Sequence, residues 1–168
     1  KFFTRPEDNL YGTVFAGYPD GHNAVFDFCL QLWSRGGELL GSDGGIVVDQ
    51  EVAVESLNFY RGLFKDDGCL HPQSRIYESV AAGQAFSRGE VAMMVNWFGF
   101  ASWAHIDTGS QVNGNVDVFP VPSFSGEAPC SLNVYWLYAI PEGSSSKSLA
   151  MDFVNFAVSP QSDKALTL

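Results

Sequence analysis

The chain has 168 residues, 46% of them hydrophobic, and carries 19 acidic against 9 basic side chains for a formal net charge of -10. A chain of this size buries roughly 70% of its unfolded surface, so one domain, or one large domain and a piece of another, can be held by its core without staples. The acidic balance, with Arg35, Lys65, Arg75 and Arg88 scattered, argues against nucleic acid or anionic lipid as a partner. No apolar run approaches the ~20 residues of a membrane span. Cys29, Cys69 and Cys130 lack metal-like spacing. Cys29 reads as a small buried hydrophobe, while Cys69 and Cys130 lie in loop-like sequence and could pair in an oxidising compartment.

Residues 1–9 are charged, contain Pro6 and predict an irregular lead-in. Leu10 to Ala16 is rich in strand formers. Gly17 to Gly21 reads as a turn in which Asp20 caps the helix that follows. That helix, His22 to Arg35, has a narrow polar stripe (Asn23, Asp27, Gln31, Ser34) and apolar residues nearly everywhere else, the pattern of an embedded helix. Free backbone donors in its first turn point at whatever occupies the preceding loop, which makes Tyr18, His22 and Asn23 candidate ligand contacts. The plain alternatives are an exposed helix-start histidine and an asparagine used for capping. Gly36 and Gly37 end the helix. Residues 38–49 predict a short strand, a tight turn and another short strand, and their glycines lack the spacing of a phosphate cradle.

Asp49 is a suitable cap for a helix over Gln50 to Asp66, buried through Ala53, Leu57, Tyr60 and Phe64. A further helix is expected over Arg75 to Ser87, weakened by Gly83 by ~1 kcal/mol relative to Ala and so dependent on packing. Gly89 breaks it. The apolar run Val91 to Val95 predicts a strand buried on both faces. It delivers Asn96 and Trp97 into a loop, a polar amide beside a large aromatic, which is a common way to wall a ligand site. The alternative is that Trp97 and Phe98 plug a core. Phe98 to Ile106 predicts a helix with Trp103 and Ile106 facing the core.

Residues 107–115 read as a loop, Val116 to Val121 as a strand, Ser123 to Ser131 as a long loop, and Leu132 to Ile140 as the last strand. Lys147 to Val158 predicts a helix with Leu149, Ala150, Phe153, Val154 and Ala157 on its inner face, and Ser159-Pro160 opens another. Aromatic faces offer sugars an apolar platform while amides and carboxylates take the hydroxyls. Asn96 with Trp97, and Tyr18 with Asn23, supply that combination, and no arginine of the kind an anionic solute calls for lies in either cluster. The histidines His22, His71 and His105 are dispersed, no nucleophile elbow is present, and no pair of carboxylates stands out. No enzyme, metal or cofactor is expected.

Three stretches carry a resemblance. Phe86, Gly89, Ala92, Met93 and Trp97, as F-x-x-G-x-x-A-M-x-x-x-W, resemble the central signature of the extracellular solute-binding proteins that serve ABC importers, the sugar-binding group in particular. Leu32 to Leu39 (LWSRGGEL) and Trp136 to Lys147 (WLYAIPEGSSSK) are similar to two further segments of that family, in the same order. The resemblance implies an α/β fold, one lobe of a two-lobe class II periplasmic-binding-protein-like architecture. Residues 1–140 would be mostly the second lobe, and 141–168 helices that belong to the other.

The start at Lys1 and the lack of an apolar signal segment fit a processed form or an excised piece, and the resemblance favours a piece. It implies capture of a carbohydrate in an interlobe cleft by hinge closure. The partners would be an ABC permease and, indirectly, its ATPase subunits, in the periplasm or outside the cell, with lipid anchoring left open. A polyamine, a peptide or a sensory role are the alternatives. Where family members often have a glycine pair before the tryptophan, this chain has Val134 and Tyr135, and strand alternation lets Tyr135 or Trp136 line the cleft but not both.

Overall fold

The computed structural model describes residues 2–47, 51–65, 68–124, 126–134 and 137–167. The described chain falls into two compact units, Lys1–Leu132 and Asn133–Leu168.

In the first unit, β1 (Tyr11–Val14) is followed by α1 (Asn23–Trp33), α2 (Glu51–Lys65), α3 (Ser79–Ser87), β2 (Val91–Met94) and α4 (Phe98–Ile106). β1 and β2 pair in parallel, with Tyr11 opposite Val91 and Thr13 opposite Met93. Parallel pairing requires a crossover, and the helices between the strands provide it. Val14, Ala16, Ala82 and Val91 form the core, with Tyr11, Tyr77, Phe86 and Met94 packed around them. α1 and α2 meet through Leu32, Ala53 and Ser56, all buried. The Ser56 hydroxyl lies 2.7 Å from the Val52 carbonyl and 3.3 Å from the Gln31 carbonyl.

Several expectations are corrected. The helix expected from Arg75 begins at Ser79 instead, because Pro72–Arg75 forms a separate 3-10 turn and the Glu78 carboxylate caps the next helix through the Val80 and Ala81 N–H groups, 2.8 Å each. β2 is not buried on both faces: Met93 is half exposed. On α2 Leu57 turns outward and Ser56 takes the buried place. On α4 Ile106 points to solvent, Trp103 is 36% exposed and meets Phe100 edge-on at 6.1 Å between centroids, and Ala104 is the residue that is buried. Residues 116–121 form no strand. Nor do residues 132–134 and 137–140, since a strand exists only by pairing and neither segment has a partner ladder among the described residues. Cys29, Cys69 and Cys130 are free thiols. The expected cap Asp49 and both expected helix ends, Gln50 and Asp66, lie outside the described residues.

The ribbon expected at 38–49 survives as an antiparallel bridge between Leu40 and Ile46. Gly89 ends α3 at φ 72°, in the left-handed region that glycine adopts without the clash a Cβ brings. In the second unit, α5 (Lys147–Ala157) and α6 (Pro160–Thr167) follow one another, and the Ser159 hydroxyl accepts the Ser162 N–H at 3.2 Å to cap α6. Of the inner face expected for α5, Ala150, Val154 and Ala157 are half-buried, whereas Leu149 and Phe153 are exposed.

Candidate solute-binding site

The turn before α1 is closed by Asp20. Its carboxylate accepts the His22 and Asn23 N–H groups at 3.0 and 2.6 Å and the Asn23 side-chain amide at 2.8 Å, so two first-turn donors are satisfied locally. This holds the start of α1 against the junction between β2 and α4. There Asn96 folds back: its amide donates to the Ser79 carbonyl at 2.8 Å and its carbonyl oxygen accepts the Trp97 N–H at 2.8 Å. Asn96 therefore orients Trp97.

Three rings meet as a result. His22 stacks on Trp97 at 5.9 Å between centroids and 18° between planes, and Phe26 meets Trp97 edge-on at 5.8 Å and His22 at 4.7 Å. Beside them lies a cavity of about 260 Å³. α1 contributes Asn23, Phe26, Asp27 and Leu30 to its wall, Ser79 comes from the start of α3, and Asn96, Trp97 and Phe98 come from the junction. Ala16, Val95, Val121, Ser131 and Leu132 complete it.

The structure thus gathers Asn96, Trp97, Asn23 and, through its stacking, His22. Tyr18 is half exposed and stands outside the cavity wall, its backbone N–H bonded to the Tyr77 carbonyl at 3.0 Å. Tyr135 and Trp136 lie outside the described residues.

Asp27 is the site residue that sequence reasoning did not select. It is 7% exposed, lines the cavity, and accepts the Tyr60 hydroxyl at 3.2 Å and the backbone N–H of Ala16. Burial pushes its carboxyl up to about 7, against the pull of the Tyr60 and Ala16 hydrogen bonds, which favour the charged form. The Tyr60 phenol is raised in turn by its own burial and by the neighbouring Asp27 charge. The available signal was the polar stripe itself, which turns inward: Asn23, Asp27 and Ser34 are buried while Val25 is half exposed.

His71 sits elsewhere, buried against Tyr77 and Tyr11, with Nε2 3.4 Å from Glu90 and Nδ1 accepting the Gln73 N–H. Burial lowers its tendency to protonate, partly countered by Glu90. Neither His22 nor His71 is hydrogen-bonded to a serine, and no group of three His, Cys, Asp or Glu is placed to hold a metal, among the described residues.

A mainly apolar hollow with a few polar groups, set where a helix start meets a strand end of an α/β unit, is the kind of place a small molecule binds. The model of the family described as bacterial extracellular solute-binding protein matches residues 4–164, and the chain belongs to that family. It is a family of transport binding proteins, not of enzymes. A curated relative, a probable ABC transporter-binding protein of Deinococcus radiodurans, is 28% identical over 130 residues, which is 77% of this chain and 30% of the relative.

Among solved structures, an ABC transporter solute-binding protein of Agrobacterium radiobacter K84 in complex with ribitol superposes with a TM-score of 0.83 at 25% identity, over 99% of this chain and 41% of the other. Maltose-bound MalE3 of T. maritima gives 0.83 at 28% identity, over 94% and 40%. A Thermotoga lettingae TMO solute-binding protein bound with α-D-tagatose gives 0.80 at 21% identity and shares the fold. The class expected from the sequence, α/β and one lobe of the two-lobe class II solute-binding architecture, is the class of these neighbours. The chain spans less than half the length of each relative. No helix among the described residues is long and apolar enough to cross a membrane.

Proposed function

We propose that this chain is mostly the second lobe of a carbohydrate-binding protein that delivers its solute to an ABC permease, with the permease's ATPase subunits as indirect partners. The observation that carries the reading is the wall of aromatic rings around Trp97 beside a cavity edged by amide, hydroxyl and carboxylate groups. A sugar needs both: an apolar face for its C–H surface and polar partners for its hydroxyls. Among the described residues no arginine or lysine lines the cavity, which weighs against an anionic solute. The ribitol, maltose and tagatose held by the neighbours point the same way.

In this reading Trp97 is the stacking platform, Asn96 positions it, and Asn23 and His22 frame the entrance. Tyr18 and one of Tyr135 and Trp136 are proposed as further contacts to the solute. Residues 1–140 belong to the second lobe and 141–168 to the other, and the lobes close about a hinge because the solute touches both. The role is binding without catalysis, in the periplasm or outside the cell.

The test is thermal unfolding of the full-length protein against mono- and oligosaccharides, polyols, polyamines and amino acids. A solute at 100 times its dissociation constant adds about 2.7 kcal/mol of stability, and the shift should appear with carbohydrates. Trp97→Ala should then weaken binding by about tenfold or more, as loss of a buried aromatic anchor does. Unchanged affinity removes the stacking role, and a shift confined to polyamines or amino acids removes the carbohydrate reading.

A further inference from the structure

We propose that Asp27 is a specificity-determining residue of the site, its ionised carboxylate accepting hydrogen bonds from the hydroxyls of the bound carbohydrate. The inference rests on the carbohydrate reading above and goes beyond it by naming the acceptor and a pH dependence of capture.

Three observations carry it. The first is position: Asp27 stands one turn beyond Asn23 on the cavity side of α1, buried from bulk solvent yet part of the cavity wall. The second is incomplete satisfaction. An ionised carboxylate has about four acceptor positions, and Asp27 receives one hydroxyl, from Tyr60, and one backbone N–H, from Ala16. The third is the state of its neighbours. The Asn23 amide is engaged by Asp20, and the Asn96 amide is engaged by Ser79 and Trp97. Those bonds leave amide oxygens as neutral acceptors, and Asp27 is the carboxylate among the described residues of the wall, the strongest acceptor there and with spare capacity, which suits carbohydrate hydroxyls as donors.

The groups that face Asp27 decide its protonation. From α2 comes Tyr60, whose phenol stays neutral in the working range because its own titration is displaced upward. From the end of β1 comes only a main-chain donor, at Ala16. The junction side presents Asn96, Trp97 and Phe98, all uncharged, and His22 lies against the face of Trp97. With no cation bonded to it among the described residues, Asp27 stays protonated up to about neutral pH before a solute binds. Hydroxyl donors favour the charged form, so capture releases that proton to the buffer and strengthens as the pH rises.

The experiment is calorimetric titration of the full-length protein with ribitol, maltose, D-tagatose and other simple sugars and polyols between pH 6 and 8, in two buffers of different ionisation enthalpy. For a single group titrating near 7 whose protonated form does not bind, affinity should fall about tenfold from pH 8 to pH 6, with proton release on binding. Asp27→Asn should weaken binding and flatten the profile. Tyr60→Phe removes a hydrogen bond that favours the charged form and should move the midpoint upward, a change a purely structural role would not produce. A flat profile for a sugar that does bind, or a slope that survives in Asp27→Asn, where His22 is still present, overturns the proposal and leaves the carbohydrate reading intact. Failure of every sugar and polyol to bind at any pH overturns both.

Discussion

Asp27 makes a prediction about stability that needs no ligand. Its folded-state pKa is raised from 3.8 to about 7, so the folded protein holds this proton more tightly than the unfolded chain. The stabilising contribution is therefore complete below about pH 4 and is lost as the pH rises to about 7. A shift of about 3 units at ~1.4 kcal/mol per unit means that full ionisation costs about 4 kcal/mol, of which about 2.5 kcal/mol falls between pH 5 and pH 8. Asparagine has nearly the same shape, can still accept the Tyr60 hydroxyl, and does not ionise. Urea unfolding of the unliganded full-length protein and of Asp27→Asn at pH 5, 6, 7 and 8 isolates the effect, because other titrating groups cancel in the difference. The gain from the substitution should grow by about 2–3 kcal/mol from pH 5 to pH 8. A pH-independent difference, or one that shrinks toward pH 8, would refute the burial argument.

Two further substitutions test the packing around the site. Gly83 in α3 faces the ring of Phe100, and an added Cβ would lie 2.8 Å from Cε1 and 3.0 Å from Cγ, with Cδ1 closer still. Gly83→Ala should therefore destabilise by about 1–3 kcal/mol through overpacking, outweighing the ~1 kcal/mol of helix propensity it gains, and a rise in the denaturant midpoint would show that the ring simply moves aside. Arg35 lies 3.6 Å from the Phe124 ring centroid and 4.4 Å from that of Phe59, and donates to the Gln31 carbonyl at 2.8 Å. Arg35→Ala should cost about 1–2 kcal/mol and expose the Phe124 N–H, now bonded to the Ser34 carbonyl at 2.9 Å, to hydrogen exchange, while Arg35→Lys should recover little for want of a planar group to stack. Unchanged exchange at Phe124 in the alanine variant would mean that the segment is held by other contacts.

What could be read from the sequence divides along a physical line. Helices with strong periodicity and clear stops, α1, α2, α4 and α5, fall where the pattern of apolar residues places them, because the spacing of apolar residues is a local signal. The segments 116–121 and 132–140 carry strand-like composition without becoming strands, because a strand also needs a partner that composition does not name. The early start expected for α3 failed for a local reason. Pro72 opens a short turn of its own, and the strongest cap in the region is Glu78, a residue that outcompetes the usual small caps by reaching two N–H groups at once. On α2, Ser56 rather than Leu57 is buried since its hydroxyl returns to the Val52 carbonyl of its own helix and so loses little by leaving water.

The site was half legible for a related reason. Trp97 with Asn96 stands out because a strand ending in a polar amide beside a large ring is a common way to wall a ligand site, whereas Asp27 was passed over because an embedded helix with a polar stripe does not say which neighbour that stripe meets. Hydropathy reports that one side of α1 differs from the rest and leaves open which side faces in. The narrow stripe set in an apolar cylinder marks α1 as embedded, and only the fold shows that Asn23 and Asp27 of that stripe line a cavity. A carboxylate in such a stripe destabilises the empty protein near neutral pH and could be removed by a change to asparagine. Its presence at the cavity wall, half satisfied by Tyr60 and Ala16, is the arrangement expected when a binding site holds polarity in reserve for a ligand that the folded chain alone does not supply.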